Sequence, residues 1–569
     1  MRERIDTSNN GITTGAKLGD IVHSSPVFVG TPPFVNRIGG EFPATATNTY
    51  AEFRVANQSR EGLVYVGAND GMLHAFQASN GEEKFAYIPD VLLSDIGEFT
   101  NPDYGHKFYV DSTPTVNDVY MQKRGGGSPE WSTVLVNGLG AGGKGYFALD
   151  ITDPENIDEN NVMWEFTEED DGGVGTSDLG FTYSRPVIAM SNAPSSGAKE
   201  WVAIFGNGYN STSSKNAFIY ILLLDEGYTG WSENSNYFKL DTGVGVLADG
   251  TPNGIGGVTA IDTNGDGTVD RAYAGDRQGN VYVIDLSSTS PSGWNIEKTL
   301  FTATYEFDVP TITEQQPITT RPTVIANPAG GYVVIVGTGS YFTTDDATSE
   351  NIQSIYGLWD NPNPSLYSPN TTPIEKYSSP SELVEQEFTT TVENGLVVRT
   401  VSTNPVIYTD NTSDSVPDIR GWFIDFDIPP PSSNTGVQFA GERPVRNLQL
   451  RNSQLFFSTV IPQDGNSCAP PAGGFGLSVD ALSGTVGTNV VFDINIDGLF
   501  NAEDNINGLT GSAYTIAGTR FESSPGDTTF IGDYRVTQLA NGNVDRILTN
   551  PELNDGALLG RHSWKEIIR

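Results

Sequence analysis

Leu63-Val-Tyr-Val-Gly-Ala-Asn-Asp-Gly-Met-Leu-His-Ala-Phe76 decides the fold. Two runs of bulky residues flank an Ala-Asn-Asp-Gly turn, the pattern of two short antiparallel strands. The phrase returns along the chain. Thr133-Val-Leu-Val136 stands with Gly145-Tyr-Phe-Ala-Leu-Asp150, and Trp201-Val-Ala-Ile-Phe-Gly206 with Phe218-Ile-Tyr-Ile-Leu222. Arg271-Ala-Tyr-Ala-Gly-Asp276 stands with Asn280-Val-Tyr-Val-Ile-Asp285, and Tyr332-Val-Val-Ile-Val-Gly337 with Ser354-Ile-Tyr-Gly-Leu-Trp359. Gln454-Leu-Phe-Phe-Ser458 with Phe475-Gly-Leu-Ser-Val-Asp480 is the sixth. From Val64 through Val134, Val202, Ala272, Val333 and Leu455, the steps are 70, 68, 70, 61 and 122 residues.

An earlier strand precedes most of these units, often opened by proline: Ser25-Pro26-Val27, Thr113-Pro114-Thr115, Arg185-Pro186-Val187, Arg321-Pro322-Thr323 and Arg443-Pro444-Val445. Proline is tolerated at a strand's first residue, where no ladder donor is lost. Each unit thus offers three or four short strands, and a sheet that cannot bury both faces alone can do so in a ring. The expected fold is all-β, a single β-propeller over residues 1–569 with long loop insertions, since a plain blade needs only about 40–50 residues. Tandem β-sandwiches are the alternative. The step of 122 is read as an insertion at 361–418, rich in Pro, Ser, Thr, Asn and Glu and carrying a few edge strands before alternation resumes at Arg420-Gly-Trp-Phe-Ile-Asp-Phe426. A seventh unit is expected to be shared between the termini, with Tyr514-Thr-Ile-Ala517 and Val544-Asp-Arg-Ile-Leu548 as leftover strands.

Composition narrows the function. The 569 residues carry 31 basic and 70 acidic side chains, a formal charge of −39. Such a field repels phosphate backbones and argues against nucleic-acid binding; it suits cations, or solubility alone. The single cysteine, Cys468, cannot form an internal disulfide, and His23, His74, His106 and His562 show no zinc spacing. His74, between Leu73 and Ala75, reads as a structural blade residue. No stretch approaches the ~18 apolar residues of a membrane span. Met1-Arg-Glu-Arg lacks the apolar core of a signal peptide, so the chain is expected to carry no export address of its own.

Asp262-Thr-Asn-Gly-Asp-Gly-Thr-Val-Asp270 carries the chemistry. Asp262, Asn264, Asp266 and Asp270 hold positions one, three, five and nine, with Gly267 at the sixth and Thr268 placed to give its backbone carbonyl. Alternating oxygen donors that curl around one hard cation are the front of a calcium loop. Position twelve would be Tyr273, which cannot be a bidentate carboxylate, so Asp270 closes a nine-residue loop. The bland reading is a surface turn, which Asp, Asn and Gly favour for backbone reasons. A second such signal is an insertion at 490–510 containing Asp493-Ile-Asn-Ile-Asp-Gly-Leu-Phe-Asn-Ala-Glu-Asp504. Asp493, Asn495, Asp497, Asn501 and Asp504 fall at positions one, three, five, nine and twelve, with Leu499 at the carbonyl position. Its bland reading is an acidic turn. Glu168-Glu-Asp-Asp171 before Gly172 reads as a solvated loop, and Asp6-Thr-Ser-Asn-Asn-Gly11 as a turn.

The chain resembles the C-terminal domain of the PilY family (PilC-like), type IV pilus tip and assembly proteins. The matching words are Leu18-Gly-Asp-Ile-Val-His-Ser-Ser-Pro26, Val64-Tyr-Val-Gly-Ala-Asn-Asp-Gly71 and Gly140-Ala-Gly-Gly-Lys-Gly-Tyr-Phe-Ala-Leu-Asp150. Ala274-Gly-Asp-Arg-Gln-Gly-Asn280, Gln316-Pro-Ile-Thr-Thr-Arg-Pro322 and Gly560-Arg-His-Ser-Trp-Lys-Glu566 continue them in order. The resemblance implies a modified seven-bladed propeller exported to the cell surface or pilus tip in association with the outer membrane. It also implies calcium in the nine-residue loop, with occupancy biasing pilus extension against retraction and supporting attachment and twitching motility. On that reading Asp262, Asn264, Asp266 and Asp270 are side-chain ligands and Thr268 the carbonyl ligand. Minor pilins or other pilus components, and host or abiotic surfaces, become the expected partners. Fuller family proteins carry a variable N-terminal region, sometimes von Willebrand A-like, and none is read here.

Two rival classes remain. The phrase Val-Tyr-Val-Gly-x-x-Asp-Gly also looks like the blades of dehydrogenases that use pyrroloquinoline quinone. Those enzymes often hold the quinone near adjacent cysteines, and one cysteine cannot supply that pair. A carbohydrate-binding propeller would need repeated aromatic sites, whereas the tryptophans here are irregularly placed. The reading is therefore non-enzymatic.

Overall fold

A computed structural model describes residues 18–33, 42, 48–195, 198–307, 312–343, 345–361, 373–378, 381–393, 395–408, 419–426, 440–462, 473–487, 489–507 and 513–551. Cys468, His562, the Asp6–Gly11 turn, the closing Gly560–Glu566 words and part of the 361–418 insertion lie outside them.

Bulky runs punctuated by glycine turns give short antiparallel strands, and only 7% of the described residues are helical. The first sheet orders Val27–Val29, Leu63–Ala68, Met72–Gln77 and Glu83–Tyr87. Thr115–Met121, Glu130–Gly138, Gly145–Asp150 and Val162–Thr167 form the second, and Val187–Ser195, Ala198–Gly206, Phe218–Leu223 and Tyr237–Asp241 the third. The fourth orders Ile255–Ile261, Arg271–Asp276, Asn280–Asp285 and Asn295–Thr302. In the fifth, Thr323–Ala326, Tyr332–Gly337, Ser354–Asp360 and Gly421–Asp425 are joined by Val384–Glu385, which runs parallel to its neighbour. The sixth has six strands, in the order Phe388–Glu393, Leu396–Val401, Gly518–Phe521, Gly474–Asp480, Gln454–Ser458 and Gln449–Arg451. Pro525–Ile531, Tyr534–Leu539 and Val544–Leu548 make a three-stranded seventh. Among the described residues these seven sheets, with two small hairpins at 304–315 and 506–514, make a seven-bladed β-propeller arrangement.

Two compact units divide the chain. One holds the described residues up to Ala272 with Ile284–Glu297; the other holds Tyr273–Val283 and the described residues from Lys298 onward.

The repeated glycine has a packing reason. A Cβ on Gly206 would stand 2.3 Å from Ile255 Cγ2, and one on Gly275 would stand 2.3 Å from Ile318 Cγ2. Each glycine ends or nearly ends its strand where the next segment crosses close by, so the motif marks sheet-to-sheet contact rather than a turn. Strands so enclosed are buried on both faces, which is why Phe218–Leu223 is apolar without alternation. Aromatic residues fill the space within the first unit. Trp131 lies 4.8 Å from Tyr50, 5.5 Å from Tyr120 and 6.4 Å from Trp201 between ring centroids. Truncating such a residue costs about 3–5 kcal/mol.

Three expectations are refined. Proline immediately precedes the strand at Val27, Thr115, Val187 and Thr323, but after Pro444 the strand begins only at Gln449. The seventh sheet is built from 525–548 alone; the early strand Val27–Val29 pairs with Leu63–Ala68, so no described N-terminal strand completes it. The described part of the 361–418 insertion supplies Val384–Glu385 to the fifth sheet and the Phe388–Val401 hairpin to the sixth.

Candidate functional site

Asp262–Asp270 joins two strands, and its base is closed by Asp270 N donating to Ile261 O at 3.0 Å. Gly265 and Gly267 sit at φ +84° and +97°, a region that L side chains rarely enter. The acidic side chains then organise the turn. Asp262 accepts from Gly265 N at 2.6 Å through Oδ1 and from Gly267 N at 2.8 Å through Oδ2. Asn264 Oδ1 accepts from Asp266 N, and Asp266 Oδ1 from Thr268 N, both at 2.8 Å. Asp270 Oδ2 reaches back to accept from Thr263 N at 2.9 Å and from Thr263 Oγ1 at 2.8 Å. Burial pushes the Asp266 carboxyl up, but the hydrogen bonds from Thr268 outweigh it and hold it below the usual range.

Asp493–Asp504 repeats much of this wiring. Asp493 Oδ2 accepts from Gly498 N at 3.0 Å, as Asp262 Oδ2 does from Gly267 N. Asn495 Oδ1 accepts from Asp497 N at 3.0 Å and Asp497 Oδ1 from Leu499 N at 2.8 Å. The closing acid again binds the second amide of its loop, with Asp504 Oδ1 accepting from Ile494 N at 2.8 Å. The three extra residues form a short 3-10 turn, Ala502–Asp504, whose cap is Asn501 Oδ1 accepting from Glu503 N at 2.7 Å. Ile494 anchors this loop among Val491, Phe492 and Phe456.

Donor chemistry fits a hard cation in both loops, since every candidate group offers oxygen and none offers sulfur or imidazole. The carboxylates are turned onto loop amides, however. Among the described residues no three Asp, Glu, His or Cys side chains converge as a metal-holding group. Asp262, Asn264, Asp266 and Asp270 are thus brought into one small loop, with Thr268 buried beneath it. Asp493, Asn495, Asp497, Leu499, Asn501 and Asp504 form the second, with Leu499 exposed.

Sequence reasoning missed Asn192. From the strand Val187–Ser195 its amide nitrogen donates to Asp270 Oδ1 at 2.9 Å and to Val269 O at 3.2 Å. Thr268 Oγ1 lies 2.9 Å from its carbonyl oxygen. Nothing near Asn192 in sequence marks it, because its partners are more than 70 positions away. In the Glu168–Asp171 stretch only Asp171 departs from the solvated reading. Asp171 is buried: its Oδ2 accepts from Ser177 Oγ, Asp178 N and Tyr220 OH at 2.8, 2.9 and 2.7 Å, and its Oδ1 pairs with Lys239 Nζ at 3.2 Å. The later Ser177-Asp178 was the available signal, since polar residues returning after glycines supply such a carboxylate with donors.

Residues 18–373 match the family described as the PilY1 beta-propeller domain. A type IV pilus biogenesis factor PilY1 homolog of Xylella fastidiosa is 33% identical over 553 residues, which is 97% of this chain and 39% of that protein. The type IV pilus biogenesis factor PilY1 of Pseudomonas aeruginosa strain UCBPP-PA14 is 31% identical over 533 residues, 88% of this chain and 42% of that protein. The chain therefore spans less than half the length of these relatives. The crystal structure of the Pseudomonas aeruginosa PilY1 C-terminal domain superposes with a TM-score of 0.69 at 27% identity, covering 92% of this chain and 99% of that one. The sheet order, the repeated glycine contacts and these matches agree: the chain belongs to the PilY1 β-propeller domain family.

Proposed function

We propose that this chain is the calcium-binding propeller part of a type IV pilus biogenesis and tip-adhesin protein. It acts without catalysis, and metal in the Asp262–Asp270 loop biases pilus extension against retraction. Surface attachment and twitching motility depend on that bias. Its partners are minor pilins or other pilus components, with host or abiotic surfaces beyond them, and its place is the cell surface or pilus tip. Family membership supports the pilus assignment, and the names of the relatives are those of biogenesis factors rather than enzymes.

One observation carries the metal reading. Four side chains, Asp262, Asn264, Asp266 and Asp270, crowd oxygen into a nine-residue turn that two left-handed glycines let close on itself. Asp262, Asn264, Asp266 and Asp270 would hold calcium by side chain and Thr268 by its carbonyl, and the ion supplies positive charge against three neighbouring carboxylates. Asn192 orients Asp270 from the adjacent sheet and so ties loop order to strand order. The Asp493–Asp504 loop is the second proposed site, on the shared wiring.

Calorimetry with calcium on this chain and on Asp270→Ala, with thermal melting alongside, tests both. Two ions in the parent and one in the variant, with a lower melting point, support both loops. One ion in the parent and none in the variant makes the second loop a turn. No binding at millimolar calcium overturns the switch.

A further inference from the structure

Residues 18–25 form a strap hydrogen-bonded to the 67–70 stretch of the first sheet and to Asp111 and Thr113. Gly19 sits so close to the turn below that a Cβ on it would stand 2.3 Å from Asp70 N. Its amide donates to Asp70 Oδ2 at 2.7 Å. Asn69 N donates to Asp20 O at 2.9 Å, and Gly67 N to Ser24 Oγ at 2.9 Å. Each histidine among the described residues meets a carboxylate here. His106 Nε2 lies 2.8 Å from Asp20 Oδ2, and His23 Nδ1 2.5 Å from Asp111 Oδ2. His74 differs from both. Its Nδ1 lies 2.5 Å from Glu83 Oε1, and its Nε2 lies 3.0 and 3.1 Å from the two oxygens of Asp70.

A neutral imidazole donates from one ring nitrogen and accepts at the other, while an ionised carboxylate only accepts. His23 and His106 each face one carboxylate, which a single ring N–H can meet. His74 faces a carboxylate on both sides and satisfies both only as the imidazolium. We infer that His74 is a charge latch: protonated, it holds Asp70 in the position that accepts the Gly19 amide, and on losing the Nε2 proton, while the shorter Nδ1 contact to Glu83 keeps the other, it frees Asp70 and loosens the 18–25 strap.

The surroundings agree. The His74 side chain is 4% exposed and stacks on Phe76 at 5.7 Å, and Asp70 is largely buried, so little water is available to replace the partner lost on that side, whereas Glu83 is half exposed. Charged groups from the neighbouring elements are Asp70 in the turn, Glu83 on the adjacent strand, Asp20 and His106 at the strap, and Asp95 and Glu98 beside Ile96, which faces Gly71. Lys107 pairs with Glu98 and Lys84 with Glu61. Burial pushes the His74 ring down, and the bonds to Asp70 and Glu83 outweigh it, so it titrates above the ordinary histidine value. The latch is therefore closed below about pH 6.5 and opens as pH rises through the folded value.

Amide hydrogen exchange of the 18–25 segment in the intact chain, corrected for intrinsic rate, between pH 6 and pH 9 reads the latch, with ring-nitrogen NMR of His74 reporting its charge. Both ring nitrogens protonated at pH 6, and strap protection falling up to about tenfold per pH unit above the titration point, are expected. Protection of Glu130–Gly138 should stay constant as a control for global stability. His74→Gln should leave the strap less protected and insensitive to pH. Asp70→Asn, which keeps an acceptor for Gly19 without the charge, should also flatten the response. A neutral His74 at pH 6, a strap whose protection ignores pH, or an unchanged pH response in both variants overturns the proposal.

Discussion

Asn192 donates its side-chain amide to Asp270 Oδ1 at 2.9 Å, joining the third sheet to the closing acid of the first acidic loop. The same nitrogen also reaches Val269 O, so truncation takes a donor from both acceptors. Asn192→Ala should destabilise the first unit by about 1–3 kcal/mol, the range for a buried polar group left unpaired. Because the pair is in contact, Asn192→Ala and Asp270→Ala should be non-additive by at least about 0.5 kcal/mol in a double-mutant cycle read by urea unfolding. Full additivity would show that the hydrogen bond does not couple loop and sheet. The same cycle run with calcium present reports whether the coupling reaches the proposed ion site.

Ile496 stands at the fourth position of the second loop, where the first has Gly265. Both take left-handed backbone, at φ +62° and +84°, and Ile496 is 87% exposed. A β-branched residue in that region is strained by roughly 1–2 kcal/mol, while glycine gives back about 0.5–1 through unfolded-state entropy. Ile496→Gly should therefore stabilise the loop by up to about 1 kcal/mol despite removing an entire aliphatic side chain. Gly265→Ala should do the reverse. Chemical denaturation of both variants checks the sign, and a destabilised Ile496→Gly would mean the side chain has a packing role.

Much of this is legible in the sequence. The Val-Tyr-Val-Gly phrase located the inner strands because a glycine is forced wherever a neighbouring segment passes within 3 Å of its Cα substituent, as at Gly206 and Gly275. The alternating acids located both loops because Asx side chains bind amides at fixed offsets. What escaped was long-range. Asn192 reaches Asp270 across 78 positions, and Asp171 draws Tyr220 across 49, distances at which no local pattern survives. Glu168–Asp171 looked solvated because four acids in a row usually are; burial of the last one depends on Lys239, which sits on a different strand. The sixth sheet was similarly hidden, since its order places Gly518–Phe521 between Leu396–Val401 and Gly474–Asp480.

Arg399 and Glu442 form a pair in the second unit with neither side chain exposed, joined by two bonds of 2.7 and 2.6 Å. Phe475 lies 3.5 Å beneath the guanidinium, and Thr459 Oγ1 donates to Glu442. Removing one partner leaves an uncompensated buried charge, so Arg399→Met or Glu442→Gln should cost about 3–5 kcal/mol. Replacing both with Met and Leu removes the desolvation cost together with the attraction and should recover most of that loss. Equilibrium unfolding of the three variants separates the cases. A double replacement as damaging as the single ones would show that the pair contributes net stability rather than specifying the packing.

Acid should act on the first unit through Asp178. Burial pushes its carboxyl up, but Lys239 Nζ at 2.9 Å and Ser214, through both amide and hydroxyl, outweigh that and hold it below the ordinary 3.8. A carboxyl depressed in the folded state contributes stability above its unfolded value, and that stability is lost as pH falls through the folded value. Lys239 is displaced the other way: burial lowers it, and Asp178 with Asp171 raises it further, so it stays charged throughout this window. Below about pH 4 the Lys239 ammonium thus progressively loses Asp178 as a counter-charge. Asp178→Asn should lower stability at neutral pH and weaken its dependence on pH between about 4 and 2, whereas Lys239→Met should lower stability at neutral pH because it strands both carboxylates. Thermal melting across that range distinguishes them. An acid limb in Asp178→Asn as steep as in the parent would place the acid sensitivity elsewhere in the unit.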